Sequence, residues 1–301
     1  MQKKVEAAGF PKSYQKILSE LNKKHPNWEF EAIYVNMDFF QCVKEQMGQK
    51  SVIRNCSDFL KNKDEGFYLL YKNRYLTWDN GGWVAANSFA VQCFLDEDNI
   101  FMFEKNTYDP ELHNKSGIEK ILKDTFMSNK IVTYKDQLGK EIVTDKTYAG
   151  IILEAGERSN ASPYYLASKI RSEVCLSDGS GGDSTTGKYK NYKGYYNFYN
   201  IRAYDSEDPV SKGLEYAKTR TQGEFLGPWD SPEKSIICGA LWISNSYISR
   251  WQDTIYFQRF NISPYTCYIV HTHQYQEPHL LCTEYLKPIN EWEFLIAPRS
   301  L

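Results

Sequence analysis

Ser162-Pro163-Tyr164-Tyr165-Leu166-Ala167-Ser168-Lys169-Ile170-Arg171-Ser172-Glu173-Val174 is the stretch from which the fold of this chain can be read. Serine followed by proline is a helix start: the hydroxyl caps free backbone N–H groups, and proline fits the first helical position because its missing N–H would be unpaired there anyway. A helix from Tyr164 to Val174 follows. The same device recurs at Asp208-Pro209, before Val210 to Lys218, and at Ser231-Pro232, before Ile236 to Ile248. Upstream, Asp145 is placed to cap a further helix through Ile151, Ile152 and Ala155. Between the helices at 164 and 210 lies Leu176 to Tyr204, rich in Gly, Ser and Tyr, which reads as loop or hairpin. The expected architecture is therefore α+β, mainly α. Its helical lobe faces an irregular aromatic lobe across a cleft.

The first half of the chain is less regular. Tyr14, Ile17, Leu18 and Leu21 recur at helical spacing, and Pro26-Asn27-Trp28 ends that helix. Glu29 to Asp38 alternates as a strand does, with Phe30, Ile33 and Val35 apolar. Asp79-Asn80-Gly81-Gly82 is a turn, Val84 to Leu95 reads as a helix, and Ile100 to Phe103 as a short strand. Ser116 is a helix cap ahead of Ile118, Ile121 and Leu122. Met127 to Thr144 is polar and weakly patterned, so the domain boundary is expected there: an N-terminal mixed accessory region over 1–145 and a helical domain over 146–301.

Bulk properties exclude several classes. At 301 residues, 42% hydrophobic and 25% charged, the chain can bury a sizeable core. A formal net charge of −2 gives no footprint for nucleic acid. No apolar run reaches the roughly 18 residues of a membrane span. Residues 1–10 lack the apolar core of a signal peptide, so an exported protein would use another route or have lost its signal. The seven Cys are widely spaced with no C-x-x-C pair, which suits reduced, mostly buried thiols. Aromatic residues reach 15%, including 23 Tyr, a composition that suits cores and sugar-facing clefts alike.

Glu173 is the leading chemical candidate. It follows Leu166 and Ile170 at helical offsets, so it shares their face, and it lies in the last turn, at the negative end of the helix dipole. Apolar surroundings and that dipole both favour the protonated carboxyl that a general acid needs. A surface Glu at a frayed helix end fits the same position. Ser177-Asp178-Gly179-Ser180-Gly181-Gly182 lacks the pattern of a phosphate loop and reads as a flexible connector. If Tyr195 to Asn200 is extended, Tyr195, Asn197 and Tyr199 face one way and Tyr196, Phe198 and Asn200 the other, one side core and one a sugar platform. An ordinary buried strand explains the run equally well. His271 and His273 lack a third metal ligand, and no metal or cofactor is expected.

Several of these segments together resemble glycoside hydrolase family 73, the bacterial autolysins of glucosaminidase type. The resemblance is carried by Tyr164 to Val174, Tyr195 to Tyr204, Gly213 to Ala217, Pro228-Trp229-Asp230, Gly239 to Ile243, Gln252 to Tyr256 with Gln258 and Phe260, and Thr272 to Tyr275. Phe10 to Tyr14, His25 to Ala32 and Trp83-Val84-Ala85 are similar to clostridial-type members. The resemblance implies a lysozyme-like fold and hydrolysis of the β-1,4 bond between GlcNAc and MurNAc in peptidoglycan. It implies Glu173 as the acid, with Tyr196, Asn197 and Tyr204 assisting. It further implies glycan contacts from Phe198, Tyr199, Asn200, Trp229, Trp242, Tyr256, Gln258, His273, Gln274 and Tyr275. The implied partner is a peptidoglycan glycan strand, with no nucleic acid and no membrane span, and the implied protein is a secreted, wall-associated monomer. Cys175, Arg202, Trp251 and Gln276-Glu277-Pro278 depart from the family pattern and bear on cleft shape and substrate preference.

Two mechanisms fit. Inversion needs a second carboxylate about 6.5–9.5 Å from the acid; Asp178, Asp183 and Asp205 are nearest in sequence. Substrate assistance instead uses the 2-acetamido group of GlcNAc, oriented by polar groups such as Tyr196, Asn197, Tyr199 or Tyr204, and is favoured because only Glu173 has a family match. A lytic transglycosylase, a muramidase or a non-catalytic wall-binding module are the competing readings.

Overall fold

The computed structural model describes residues 10, 12–26, 28–35, 52–54, 70–71, 74–75, 83–85, 103–203, 207–219, 227–260 and 293–296. The chain divides into two compact units, Met1–Lys105 with Arg250–Leu301, and Asn106–Ser249.

In the first unit, helix α1 (Lys12–Lys24) buries Leu18 and ends on Lys23 and Lys24, cations that suit the negative end of a helix. The ring of His25 stacks on that of Trp28 at 3.9 Å, where the chain turns out of the helix. Strand β1 (Ala32–Val35) pairs antiparallel with β8 (Glu293–Ile296), Ala32 opposite Ile296. Strand β2 (Val52–Arg54) pairs with β5 (Trp83–Ala85), and β3 (Leu70–Tyr71) with β4 (Arg74–Tyr75). Val84 and Ala85, expected to open a helix, are therefore strand residues; their pairing with Ile53 and Val52 overrides a helix-like apolar spacing. Phe103, expected in a strand, lies in a 3₁₀ turn, and its ring packs 4.9 Å from Tyr256 of helix α7 (Ile255–Phe260).

The second unit is built around helix α3 (Tyr148–Ser159), which packs against α2 (Lys115–Leu122), α4 (Pro163–Val174) and α6 (Pro232–Ser246). Ile151, Ile152 and Ala155 of α3, Ile118 and Leu122 of α2, Leu166 and Ile170 of α4, and Ile236 and Ala240 of α6 are fully buried together. Each large aliphatic side chain of this set contributes about 1.5–3 kcal/mol. Ser162 caps α4 by accepting from Tyr165 N, and Ser231 caps α6 by accepting from Lys234 N, as the serine–proline pairs predict. Asp208 likewise accepts from Ser211 N at the start of α5 (Pro209–Thr219). Two expected caps are displaced. Asn114, not Ser116, accepts from Gly117 N, and Thr147, not Asp145, accepts from Gly150 N. Asp145 lies in β7 (Glu141–Thr147), which pairs with β6 (Ile131–Lys135). The stretch around residue 145, read as a boundary, is thus one arm of a hairpin inside the second unit.

The start of α4 carries a titratable contact. Asp109 N–H donates to His113 Nδ1 at 2.9 Å, which leaves Nε2 to donate to Ser162 Oγ at 3.1 Å. His113 also lies edge-on to the Tyr164 ring, 4.8 Å between centroids. Burial holds His113 below its ordinary value of 6.5, with the Asp109 charge acting against it. A proton on Nδ1 removes the acceptor that Asp109 uses. Because the unfolded chain takes up that proton first, the stability His113 contributes is complete above pH 6.5 and is lost as pH falls below it. Urea unfolding between pH 7.5 and 5 is expected to show that slope, and His113→Gln is expected to flatten it.

Gly239 lies inside α6, where a Cβ would sit 2.4 Å from Tyr199 Cδ2. Tyr199 is buried and cannot swing away. Gly239→Ala gains up to about 1 kcal/mol of helix propensity but is expected to lose about 1–3 kcal/mol to overpacking. A net fall in chemical-denaturation midpoint checks this.

Candidate active site

The last turn of α4 presents Glu173 on a helix whose Leu166, Ala167, Ile170 and Val174 are buried. Glu173 itself is not. Its side chain is 38% exposed, with Lys169 Nζ 3.9 Å from Oε1. The buried face runs through Leu166, Ala167, Ile170 and Val174, and Glu173 stands at its edge, so its carboxyl reaches solvent. The Lys169 contact, one helical turn away and exposed, is worth at most about 1 kcal/mol.

The last carbonyls of a helix have no partner within it, and two of them are met here by other segments. Both are held from outside. Val174 O accepts from Gly182 N at 2.7 Å, and Glu173 O accepts from Asn200 Nδ2 at 2.6 Å. Between Val174 and Gly182 the chain makes a closed turn: Cys175 bridges Gly181, Leu176 N donates to Ser180 O, and Gly179 N donates to Leu176 O. Gly179 has φ +81°, and a Cβ there would lie 2.1 Å from Asp124 O. Its own carbonyl accepts from Phe126 N. The segment expected to be a flexible connector is therefore hydrogen-bonded throughout and packed against residues 124–126. Asp178 belongs to that turn: the Ser180 hydroxyl and N–H both donate to Oδ1, which holds its carboxyl below the ordinary range. Asp183 opens a 3₁₀ turn, Asp183–Thr185.

The aromatic run departs most from expectation. Tyr196, Asn197, Phe198 and Tyr199 are all buried, at 1%, 0%, 0% and 3% exposure, so the two-sided strand is absent. The run is a series of turns fastened to its surroundings. Tyr196 N donates to Trp229 O, Asn197 N to Ser184 O, and Phe198 N to Ser235 Oγ of α6. Tyr196 Oη donates to Lys135 O of β6, and burial pushes its phenol up to about 12. The Asn197 amide donates to Ile201 O and Gly213 O and accepts from Ile201 N. Tyr199 Oη and Trp229 Nε1 are buried without a partner among the described residues.

The structure thus brings Glu173, Asn200 and the Tyr196–Tyr199 run into one neighbourhood, but presents only Glu173 and Asn200 toward solvent. Trp229 is a core residue, its ring edge-on to Tyr216. Trp242 is half-buried on α6, edge-on to Tyr247. Tyr256 is buried in the first unit, and Gln258 Nε2 donates to Gln252 O there. Tyr204, Asp205, His271, His273, Gln274 and Tyr275 lie outside the described residues. Among the described residues no three His, Cys, Asp or Glu gather as metal ligands would, and no helix is long and apolar enough to cross a membrane. The sequence reading missed Gly182 and Ser184, whose roles rest on main-chain and short-range contacts to distant segments.

No family model matches the chain. The likeness to autolysins expected from the motifs is nevertheless found: the chain is 41% identical over 61 residues to the bifunctional autolysins of Staphylococcus aureus strains NCTC 8325 and COL. That match spans 20% of this chain and only 4% of those relatives' length. Among solved structures, S. aureus autolysin E superposes with a TM-score of 0.43 at 21% identity, covering 74% of this chain and 77% of that one. A catalytic mutant of autolysin E in complex with the disaccharide NAG-NAM gives 0.41, covering 74% and 78%. Superpositions this loose transfer no residue roles.

Proposed function

We propose that this chain is a peptidoglycan hydrolase of the family 73 glucosaminidase type, with a lysozyme-like fold. It cleaves the β-1,4 bond between GlcNAc and MurNAc and works in the cell wall as a secreted protein. Glu173 is the general acid. The observation that carries this reading is the presentation of Glu173: a carboxyl at the rim of a buried helix, its main chain held from outside, beside a rigid turn. The 61-residue likeness to the bifunctional autolysins supports it. Residues 106–249 form the catalytic lobe in this reading.

Glu173, protonated, donates to the glycosidic oxygen as the bond to the anomeric carbon breaks. The 2-acetamido group of GlcNAc attacks that carbon in the favoured mechanism, and water then opens the resulting ring. Asp178 suits the part of a general base poorly, since the Ser180 donors on Oδ1 hold its carboxyl below the ordinary range and make it a weak base. Asp178→Asn and Asp183→Asn are expected to keep turnover; abolition by either would replace assistance with inversion. The buried Tyr196, Asn197, Phe198 and Tyr199 act here as the frame of the site, and glycan contact falls to exposed groups nearby.

The test is digestion of purified peptidoglycan, borohydride reduction and mass spectrometry. Reduced GlcNAc ends are expected. Reduced MurNAc ends would make the protein a muramidase, anhydro-MurNAc ends a transglycosylase, and no fragments a wall-binding module.

A further inference from the structure

Asn200 has left-handed backbone geometry, φ 48°, a conformation that costs most residues about 1–2 kcal/mol but that Asn adopts readily. Both ends of its side chain are engaged. Nδ2 donates to Glu173 O at 2.6 Å, and Oδ1 accepts from Ser184 Oγ at 3.0 Å. The Glu173 carbonyl, which can only accept, fixes which way the amide faces, and the Ser184 hydroxyl donates to the oxygen end so presented. Ser184 is itself buried and tied by its carbonyl to Asn197 N at 2.8 Å. The next carbonyl, Val174 O, is held by Gly182, two residues before Ser184. One short segment, 182–184, thus reaches both successive carbonyls of the helix end, one directly and one through Asn200. None of these contacts involves the carboxyl of Glu173.

We propose that Asn200 is a positioning residue: backed by Ser184, it fixes the main chain of Glu173 and thereby the direction in which the acid points. This rests on the reading of Glu173 as the acid. A glycosidic proton transfer needs the carboxyl within hydrogen-bond reach of the leaving oxygen, and a displacement of 1 Å can cost about a hundredfold. A helix end normally frays; this one is clamped on the residue that does the chemistry.

Asn200→Gly separates the amide from the backbone, since glycine adopts φ 48° freely. The expected result on solubilised glycan strands is a kcat lower by about tenfold or more, with KM changed less than about twofold. Ser184→Ala is expected to shift kcat in the same direction by less. A readout independent of turnover is alkylation of Cys175, the half-buried residue that caps α4, followed by peptide mass spectrometry. It is expected to quicken in Asn200→Gly. A wild-type kcat in that variant overturns the proposal. So does a raised KM at unchanged kcat, which would mean a substrate contact. An unchanged Cys175 rate also overturns it, because the helix end would then be held without the amide. If the wild-type protein shows no turnover, the assignment of the acid falls, and the Cys175 rates alone decide whether Asn200 holds the helix end.

Discussion

Glu173→Gln is expected to lower turnover of purified peptidoglycan by about 10²–10⁴-fold, the usual contribution of a positioned general acid. It is expected to leave folding and wall binding in place. Gln has the shape of Glu and nearly its helix propensity. The external ties at this position go to main-chain carbonyls, so Asn200 and Gly182 keep their partners in the variant. Only the exposed 3.9 Å contact with Lys169 is given up. The unfolding free energy should therefore stay within about 0.5 kcal/mol of wild type, as for most surface substitutions. A loss of turnover with unchanged stability and unchanged co-sedimentation with walls assigns the loss to the missing proton. Retained turnover would remove Glu173 from the chemistry.

The residues that start the helices were legible because a cap is a local device. Ser162-Pro163, Asp208-Pro209 and Ser231-Pro232 act within three or four residues of themselves, and each caps as expected. Where two cap residues lie close together, sequence could not choose between them. Asn114 and Ser116 are both suitable, and geometry selects Asn114. The β6–β7 hairpin was hidden because its apolar residues do not alternate cleanly: Val132 is buried while Ile131 and Val143 are exposed. The segment from Tyr195 to Asn200 misled for another reason. The two-sided reading assumed an extended chain, but the backbone is satisfied by side chains and by distant loops instead of a neighbouring strand. The position of Glu173 was legible from its helix. What holds it was not, since Gly182, Ser184 and Asn200 reach it only after the chain has folded back.

Asn197→Ala is expected to unfold the second unit more readily than any other single change at the site, and its effect separates two roles for this residue. Asn197 is fully buried, and its amide replaces a stretch of sheet: it accepts from Ile201 N at 3.0 Å and donates to Ile201 O at 2.8 Å and to Gly213 O at 3.0 Å. Gly213 allows α5 to come this close, for a Cβ there would stand 3.0 Å from Asn197 Nδ2. Alanine leaves the N–H and the carbonyl of Ile201 without partners in a dry interior, while Gly213 O keeps its bond from within α5. At about 1–3 kcal/mol for each group left unpaired, a loss of about 2–5 kcal/mol follows. In a domain of this size that is a fall of about 10 °C in Tm. Asn197→Asp keeps only the bond from Ile201 N and turns an oxygen toward two carbonyls, so it is expected to be no better than alanine. The competing role, orienting the substrate acetamide, predicts a different pair of results: Tm near wild type in both variants, with kcat reduced. Calorimetry beside kinetics on the folded fraction decides between them. If Asn197 is a strut, the loss of activity tracks the loss of folded protein. Holding the turn that carries Asn200 is then its whole contribution to the chemistry at Glu173.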